Sequence, residues 1–242
     1  MKRRIRSKYF ARRLAALALV LAVFVGVSAL AAGALNWVGS QVGGWFSPVS
    51  SSRGYDVTTA SSLTVIVNKI RPLSPLDYYP AQIADFNLVP TAATAFAKMR
   101  DAAHKSGAGD LVVASAFRDF ATQQETFAKY TAELGEAAGE NRAAKPGFSE
   151  HQTGLAADLA ATGQSCAIKV CFAKTTAGRW LAKNSWRYGF ILRYPKGASD
   201  VTGYQFEPWH FRFVGAKLTR EMHAAKAMVL ETYLNLGPAP NY

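Results

Sequence analysis

The sequence predicts an α+β domain in which helices surround a small, largely antiparallel β-sheet. Half of the 242 residues are apolar and 12% are aromatic, a composition that supports a packed core and differs from that of a disordered chain. Segments with helical and strand patterns follow one another without the regular alternation that a parallel sheet requires. The sequence contains no internal repeat, and a chain of this length holds one good-sized domain with additional segments.

A strongly basic segment and an apolar segment come first. Residues 1–13 contain seven Lys or Arg and no acidic residue, and residues 14–35 carry no charge. A helix over this second segment would be about 33 Å long, enough to cross a bilayer core of about 30 Å. The basic residues predict that the amino terminus stays in the cytoplasm and the rest of the chain lies outside. The alternative is a secreted chain with a cleaved signal peptide, because Ala-Leu-Ala at residues 29–31 resembles a cleavage site.

The remainder of the chain is only mildly basic. Without the first 13 residues, 21 basic residues face 16 acidic ones, a net charge of +5. This charge suits an anionic surface or polymer, and we expect no nucleic acid partner. Residues 36–62 are rich in Gly, Ser and Val and are predicted to link the membrane segment to a domain formed by residues 63–242.

In the first half of the domain, two predicted strands are each followed by a predicted helix. The β-forming run LTVIVNKI predicts a strand over residues 63–70. A helix is predicted for residues 91–106, between a proline and a glycine. The apolar run DLVVASAF predicts a buried strand, and the following helix is predicted for residues 120–134, before Gly135.

The second half contains two more predicted helices and two more predicted strands. A helix is predicted for residues 175–188, before Gly189. The runs FILRY and WHFRFV predict strands, and the last helix is predicted for residues 216–236.

Two cysteines, Cys166 and Cys171, are five residues apart in CAIKVC. In an oxidising compartment such a pair predicts a local disulfide. Two unrelated buried thiols are the alternative. A zinc site is less favoured, because the chain has no second cysteine pair.

The stretch SEHQTGLAADL, residues 149–159, places an imidazole and a carboxylate seven residues apart. Gly154 permits a turn after His151, and the small residues that follow allow close backbone packing. Asp158 is therefore predicted to follow in extended chain.

A second stretch, EPWHFRF at residues 207–213, offers another imidazole and another carboxylate. The proline forces Glu207 into an extended conformation, and the aromatic run after it favours a strand. Alternation along that strand places His210 and Arg212 on one face, with Glu207 at its entrance.

Together the two stretches match the composition of a catalytic zinc site. Such a site has three protein ligands and leaves a fourth position open. The predicted ligands are His151, Asp158 and His210, and Glu207 is the predicted base that moves protons without binding the metal. The alternative is two histidines with ordinary hydrogen bonds and a surface glutamate.

Both stretches resemble motifs of the VanY-type D-alanyl-D-alanine carboxypeptidases, which belong to the zinc peptidases that include the dipeptidase VanX and the hedgehog signalling domain. SEHQTGLAADL resembles Ser-x-His-x-x-Gly-x-Ala-x-Asp, and EPWHFRFVG resembles Glu-x-x-His. The stretches LTVIVNKIRPLSPLDYYP, SAFRDFATQQ and WRYGFILRYPKG also resemble that family. The five motifs occur in order over residues 63–215. The resemblance implies the same zinc ligands and base, a hedgehog-like fold, and substrate contacts from Arg118 and Gln123.

The chain departs from the family pattern around Arg118. Ala116 and Phe117 stand where the family often has Gly-Tyr, and Asp119 stands where a serine is common. Arg118 therefore has an alternative partner in Asp119 or Glu125.

Two further substrate contacts are candidates with open alternatives. Ser149 either binds a substrate carboxylate or caps a turn. Trp209 either forms a wall of the pocket or belongs to the core.

The resemblance implies a membrane-tethered zinc carboxypeptidase that removes the terminal D-alanine from peptidoglycan stem peptides ending in D-Ala-D-Ala. Glu207 would assist the attack of water on the peptide carbonyl, and zinc and Arg118 would stabilise the oxyanion. The alternatives on the same scaffold are an L,D-carboxypeptidase, a D,D-dipeptidase and a wall endopeptidase. A non-catalytic wall-binding module is disfavoured because all three ligands and the base are present.

Overall fold

The computed structural model describes residues 52–163 and 165–242. It contains one antiparallel sheet in the spatial order β1-β2-β4-β3, whose strands are β1 Leu111–Ser115, β2 Ala156–Ala161, β3 Phe190–Leu192 and β4 His210–Phe213. The predicted α+β class with a small antiparallel sheet is confirmed. The membrane helix predicted for residues 14–35 lies outside the described residues. Within the described part of the chain, no helix is long and apolar enough to cross a membrane.

Most of the predicted helices are present. The α-helices are α1 Pro90–Lys105, α2 Phe120–Leu134, α3 Glu136–Arg142, α4 Thr176–Asn184, α5 Ser199–Thr202, α6 Ala216–Ala224 and α7 Leu230–Tyr233. Short 3-10 turns occupy Asp85–Asn87, Glu150–Thr153, Val170–Lys174 and Ser185–Tyr188. The helices predicted for residues 91–106 and 120–134 are confirmed as α1 and α2. The helix predicted for residues 175–188 is α4 followed by a 3-10 turn.

Strand β2 is the centre of the sheet and is buried along its whole length. Its sequence, AADLAA, has no β-branched residue, so the strand depends on pairing with β1 and β4 along both edges. A register shift between Val113 and Ser115 in β1 sets Ser115 opposite Asp158. On the other edge, His210 is opposite Asp158. The polar residue of the central strand therefore lies between two polar neighbours.

The core packs the sheet against α1 and α4. Its fully buried side chains include Phe96 and Met99 from α1, Leu159 from β2, Leu181 from α4 and Phe211 from β4. Burying one such side chain stabilises the fold by about 1.5–3 kcal/mol. This packing holds β2 and β4, which carry two of the predicted ligands.

The strand predicted for residues 63–70 is wrong. The segment is buried at Val65, but its pairing is limited to an isolated bridge between Asn68 and Arg71. The carbonyl oxygens of Leu63 and Val65 accept hydrogen bonds from the Arg212 guanidinium instead of from a neighbouring strand. The apolar pattern correctly indicated burial, and a distant side chain decided the backbone partners.

The helix predicted for residues 216–236 is interrupted. It ends at Ala224, and the chain turns at Lys226, whose φ is +54°. The amide of Ala227 donates to the carbonyl of Met222, which closes a Schellman-type C-cap without the usual glycine. The turn directs α7 back toward the domain, where Glu231 accepts buried hydrogen bonds from Asn68 and Arg193.

Two further features differ from the sequence prediction. Helix α3 was not predicted, and it packs so closely on α2 that a Cβ at Gly139 would lie 2.7 Å from Thr131 Cα. The folded unit also begins before residue 63, because Ala60 is buried in the core.

The predicted disulfide between Cys166 and Cys171 is confirmed, with a Cα–Cα distance of 5.6 Å.

Candidate metal centre and substrate cleft

The three predicted metal ligands converge at the centre of the sheet. His151, Asp158 and His210 each offer one ligand atom, and these atoms lie within 4.8 Å of one another. Asp158 and His210 are cross-strand partners, whereas His151 belongs to the 3-10 turn before β2. Gly154 ends that turn with φ +67°, and a Cβ there would lie 2.9 Å from side-chain atoms of Ile83 and Val89. The positive φ and the close side chains therefore both favour glycine between the two predicted ligands.

Each imidazole uses one ring nitrogen for a protein hydrogen bond and leaves the other facing Asp158. His151 Nδ1 lies 2.6 Å from the carbonyl oxygen of Ala116, and its Nε2 lies 3.5 Å from Asp158 Oδ2. His210 Nε2 lies 3.2 Å from Glu150 Oε2, and its Nδ1 lies 3.2 Å from Asp158 Oδ1. The nitrogens oriented for a metal are Nε2 of His151 and Nδ1 of His210.

The donor set fits a zinc ion. Asp158 Oδ1 is buried without a hydrogen-bond partner among the described residues, although His210 Nδ1 is near. A buried carboxylate oxygen without a donor is costly, and a cation would supply its missing partner. Two imidazole nitrogens and one carboxylate oxygen are the ligands of catalytic zinc sites, in which a fourth position stays open.

Glu207 lies beside this cluster. Its Oε2 is 3.8 Å from His210 Nδ1. Burial raises the pKa of Glu207 to about 7, although the positive charges of His210 and Arg142 oppose the increase. A carboxyl group whose pKa is near neutral both accepts and returns protons efficiently. Its position and its raised pKa are compatible with the predicted role of Glu207 as a general base.

Arg118 projects into the cleft from the segment after β1. Its Nε donates to Gln123 Oε1 at 3.0 Å, and its Nη1 donates to Ser115 Oγ at 2.6 Å. Asp119 instead caps α2 by accepting from the Thr122 amide at 2.8 Å. Within the described chain, Arg118 has no carboxylate partner within 4 Å, so its guanidinium is available to a substrate anion.

Gln123 does not contact the cleft as predicted. It is completely buried, and its amide nitrogen donates to the carbonyl oxygen of Ala144 at 2.8 Å. Its oxygen holds Arg118, so Gln123 orients the arginine from behind. The motif correctly indicated that Arg118 and Gln123 lie together. The packing of α2, however, directs the Gln123 side chain away from the cleft.

The cleft has a volume of about 270 Å³, and Ser149 and Trp209 both line it. Ser149 precedes the 3-10 turn, and its hydroxyl does not cap that turn. Trp209 is 4% exposed and belongs to the core as well as to the wall of the cleft. Both residues therefore line the cleft, and their contact with substrate stays a prediction.

Two charged residues of this region were not among the residues predicted for the site. Arg142, at the end of α3, lies between the rings of Tyr130 and Trp209 at 5.5 and 5.4 Å from their centroids. Its Nη1 is 4.0 Å from Glu207 Oε1. Glu150, next to His151, is buried and contacts His210. A charged residue within the SEHQTG motif was the available signal for Glu150, whereas Arg142 had none because α3 was not predicted.

Known proteins are similar to this chain over the part that carries the metal centre. The family model VanY, D-alanyl-D-alanine carboxypeptidase, matches residues 85–216. A D-alanyl-D-alanine carboxypeptidase of Enterococcus faecium is 32% identical over 181 residues, which are 75% of this chain and 55% of that protein. The chain spans about half the length of the curated relatives it matches.

Two solved structures are similar to the fold. The LdcB LD-carboxypeptidase, described with its peptidoglycan recognition, is 34% identical with a TM-score of 0.67, covering 73% of this chain and 87% of that one. A variant of the vancomycin resistance D,D-pentapeptidase VanY in complex with Zn(II) is 32% identical with a TM-score of 0.61. That match covers 72% of this chain and 99% of that one.

Proposed function

Because the chain belongs to the VanY family of D-alanyl-D-alanine carboxypeptidases, we propose that it is a zinc-dependent hydrolase that removes the terminal D-alanine from peptidoglycan stem peptides. The observation that carries this proposal is the convergence of His151, Asp158 and His210 around an unpartnered carboxylate oxygen, with Glu207 beside them. A VanY relative that binds Zn(II) supports the choice of metal.

The residues divide the chemistry between them. Zinc held by the three ligands would act as a Lewis acid toward the scissile carbonyl and the attacking water. Glu207, which lies beside His210 without belonging to the ligand set, accepts a proton from that water and returns it to the departing amine. Arg118 presents a planar guanidinium to the free carboxylate of the terminal residue, and Gln123 and Ser115 fix its orientation. Recognition of that carboxylate is what makes such an enzyme act at the chain end.

A second activity has its own support. The LdcB LD-carboxypeptidase is as similar to this chain as the D,D-pentapeptidase is. An L,D-carboxypeptidase removes D-alanine from a tetrapeptide stem, whereas a D,D-carboxypeptidase requires the D-Ala-D-Ala end of a pentapeptide. The proposed D,D-activity is supported by the family match and by the Enterococcus relative.

The test is incubation of the zinc-loaded protein with tetrapeptide and pentapeptide stems, followed by mass analysis. Loss of one alanine from the pentapeptide is the expected result. Cleavage of the tetrapeptide alone would favour the L,D-activity. Release of a dipeptide would indicate a D,D-dipeptidase, and internal cleavage would indicate a wall endopeptidase. No cleavage by zinc-loaded protein would contradict the proposed function.

We propose in addition that the domain works outside the cytoplasm, tethered to the membrane by residues 14–35. The uncharged segment after a basic amino terminus supports this location. The disulfide between Cys166 and Cys171 is compatible with an oxidising compartment.

A further inference from the structure

We propose that Glu150 is a positioning residue that fixes the tautomer of His210 and thereby directs His210 Nδ1 toward the metal. The inference rests on the proposed function only in taking His210 as a metal ligand. It concerns a residue that does not touch the reacting atoms. It follows from the different hydrogen-bond partners of the two oxygens of the buried Glu150 carboxylate.

One oxygen of Glu150 accepts hydrogen bonds from two arginines. Glu150 Oε1 accepts from Arg193 Nε at 2.7 Å and from Arg212 Nη1 at 3.0 Å. Both guanidiniums are completely or almost completely buried, and an arginine side chain only donates hydrogen bonds. Their positions therefore require an acceptor at Oε1.

The other oxygen faces the imidazole. Glu150 Oε2 lies 3.2 Å from His210 Nε2, and an ionised carboxylate only accepts hydrogen bonds. His210 Nε2 must therefore carry its proton, which leaves the lone pair of a neutral ring on Nδ1. That nitrogen is the one that lies beside Asp158 Oδ1. The carbonyl of Ala116 acts in the same way on His151 from the opposite side of the site.

A charge-balanced network holds the carboxylate in place. Arg193 also donates to both oxygens of Glu231, at 2.9 and 2.5 Å, and Asn68 donates to Glu231 at 3.1 Å. Two guanidiniums thus offset the charges of Glu150 and Glu231. Glu231 belongs to α7, so the segment after the interrupted helix anchors a residue that supports the metal centre.

The test replaces Glu150 by glutamine. In Glu150→Gln, the amide oxygen satisfies the two arginines, and the amide nitrogen then points a donor at His210 Nε2. The favoured response is the tautomer with its proton on Nδ1, which cannot bind a metal there. We expect zinc affinity, measured by competition with a chelator, to fall about 10- to 100-fold.

Glu231→Gln is the matched control. It makes the same chemical change in the same buried network and contacts the same Arg193, but it does not contact His210. We expect it to lower stability and to reduce zinc affinity much less than Glu150→Gln does, because Arg212 still holds Glu150 Oε1 and the Glu150 carboxylate still faces His210. Equal zinc affinity for Glu150→Gln and the wild type would overturn the inference, and so would an equal loss of affinity in both variants.

A measurement on the unmodified protein decides the case if Glu150→Gln does not fold. In zinc-loaded wild type labelled with 15N-histidine, we expect a protonated, hydrogen-bonded Nε2 and a metal-bound Nδ1 for His210. Metal binding through Nε2 would refute the role of Glu150. Wild type that binds zinc through Nδ1 but cleaves no stem peptide would contradict the proposed function and leave this inference standing.

Discussion

Asp158 and His210 face each other across neighbouring strands, with Asp158 Oδ1 3.2 Å from His210 Nδ1. The antiparallel register of β2 and β4 brings together a carboxylate and an imidazole that are distant in the sequence. His151 enters from the preceding turn, so two strands and one turn define the centre. Its geometry depends on the core that holds these strands.

The first prediction separates the ligand from the base. His210→Ala removes one of three predicted ligands and should sharply reduce the zinc content of the purified protein, measured by elemental mass spectrometry. Glu207→Gln should retain zinc while turnover falls about 10²- to 10⁴-fold, because a proton acceptor is lost. Loss of zinc from Glu207→Gln to the same extent as from His210→Ala would show that the two roles are wrongly assigned.

The second prediction concerns recognition of the substrate carboxylate. Loss of a charged hydrogen bond in a dry cleft costs about 2–4 kcal/mol, so kcat/KM of Arg118→Ala should fall about 30- to 1000-fold. Arg118→Lys should recover only part of this loss, because lysine lacks the planar fork that contacts Gln123 and Ser115.

The matched control is Arg100→Ala, which removes a guanidinium from an exposed pair with Asp101 on α1. It should not change kcat/KM. Amidation of the substrate terminus should reduce cleavage by wild type and have little further effect on Arg118→Ala. Equal cleavage of amidated and free peptides by wild type would indicate an endopeptidase.

The third prediction concerns the disulfide. Replacing Cys166 and Cys171 together by serine should lower the free energy of unfolding by about 2 kcal/mol, because the bridge restricts a short loop in the unfolded chain. Urea unfolding with and without reductant measures this difference, and reductant should affect wild type but not the double variant. Two free thiols in unreduced protein exported to its native compartment would show that the bridge does not form there.

The fourth prediction concerns acid stability. Burial alone would raise the pKa of Glu231, but the charge and hydrogen bonds of Arg193 and the hydrogen bond from Asn68 outweigh it and lower the pKa below its usual 4.5. Ionised Glu231 therefore stabilises the fold above pH 4.5, and this contribution is lost as the pH falls through the lower pKa of the folded state.

The free energy of unfolding, measured in urea between pH 7 and pH 3, should test this. Glu231→Gln should be less stable than wild type by about 3 kcal/mol at neutral pH, because it leaves Arg193 without half of its charge partners. The difference should shrink below pH 4.5. A difference that stays constant with pH would contradict the contribution of the ionised carboxylate. Asp101→Asn, at an exposed ion pair, is the control and should show little effect.

The fifth prediction concerns membrane topology. Protease added to intact cells should digest the domain but spare a tag placed before residue 1, since the basic segment is expected to keep the amino terminus inside. Permeabilised cells provide the control, in which the tag is also digested. A domain protected in intact cells would overturn the proposed location.

Local patterns in the sequence predicted much of the fold. Apolar periodicity with a flanking proline and glycines identified α1 and α2, and β-forming runs identified β1, β3 and β4. These patterns failed in two places, where a distant side chain completes the backbone hydrogen bonds and where a helix ends without a glycine. Residues 63–70 bind Arg212 instead of a strand, and the turn at Lys226 has no glycine to mark it.

The sequence by itself determined which residues are candidates for the metal centre, because a ligand set requires particular donor atoms at a spacing that one turn and one strand can supply. His151, Asp158, His210 and Glu207 were identifiable on that basis. Only the tertiary structure decided which nitrogen of each imidazole is free. That choice depends on acceptors from other segments, the Ala116 carbonyl and the Glu150 carboxylate. Such contacts form only when the sheet, the turns and the buried arginines pack together, so no local pattern encodes them.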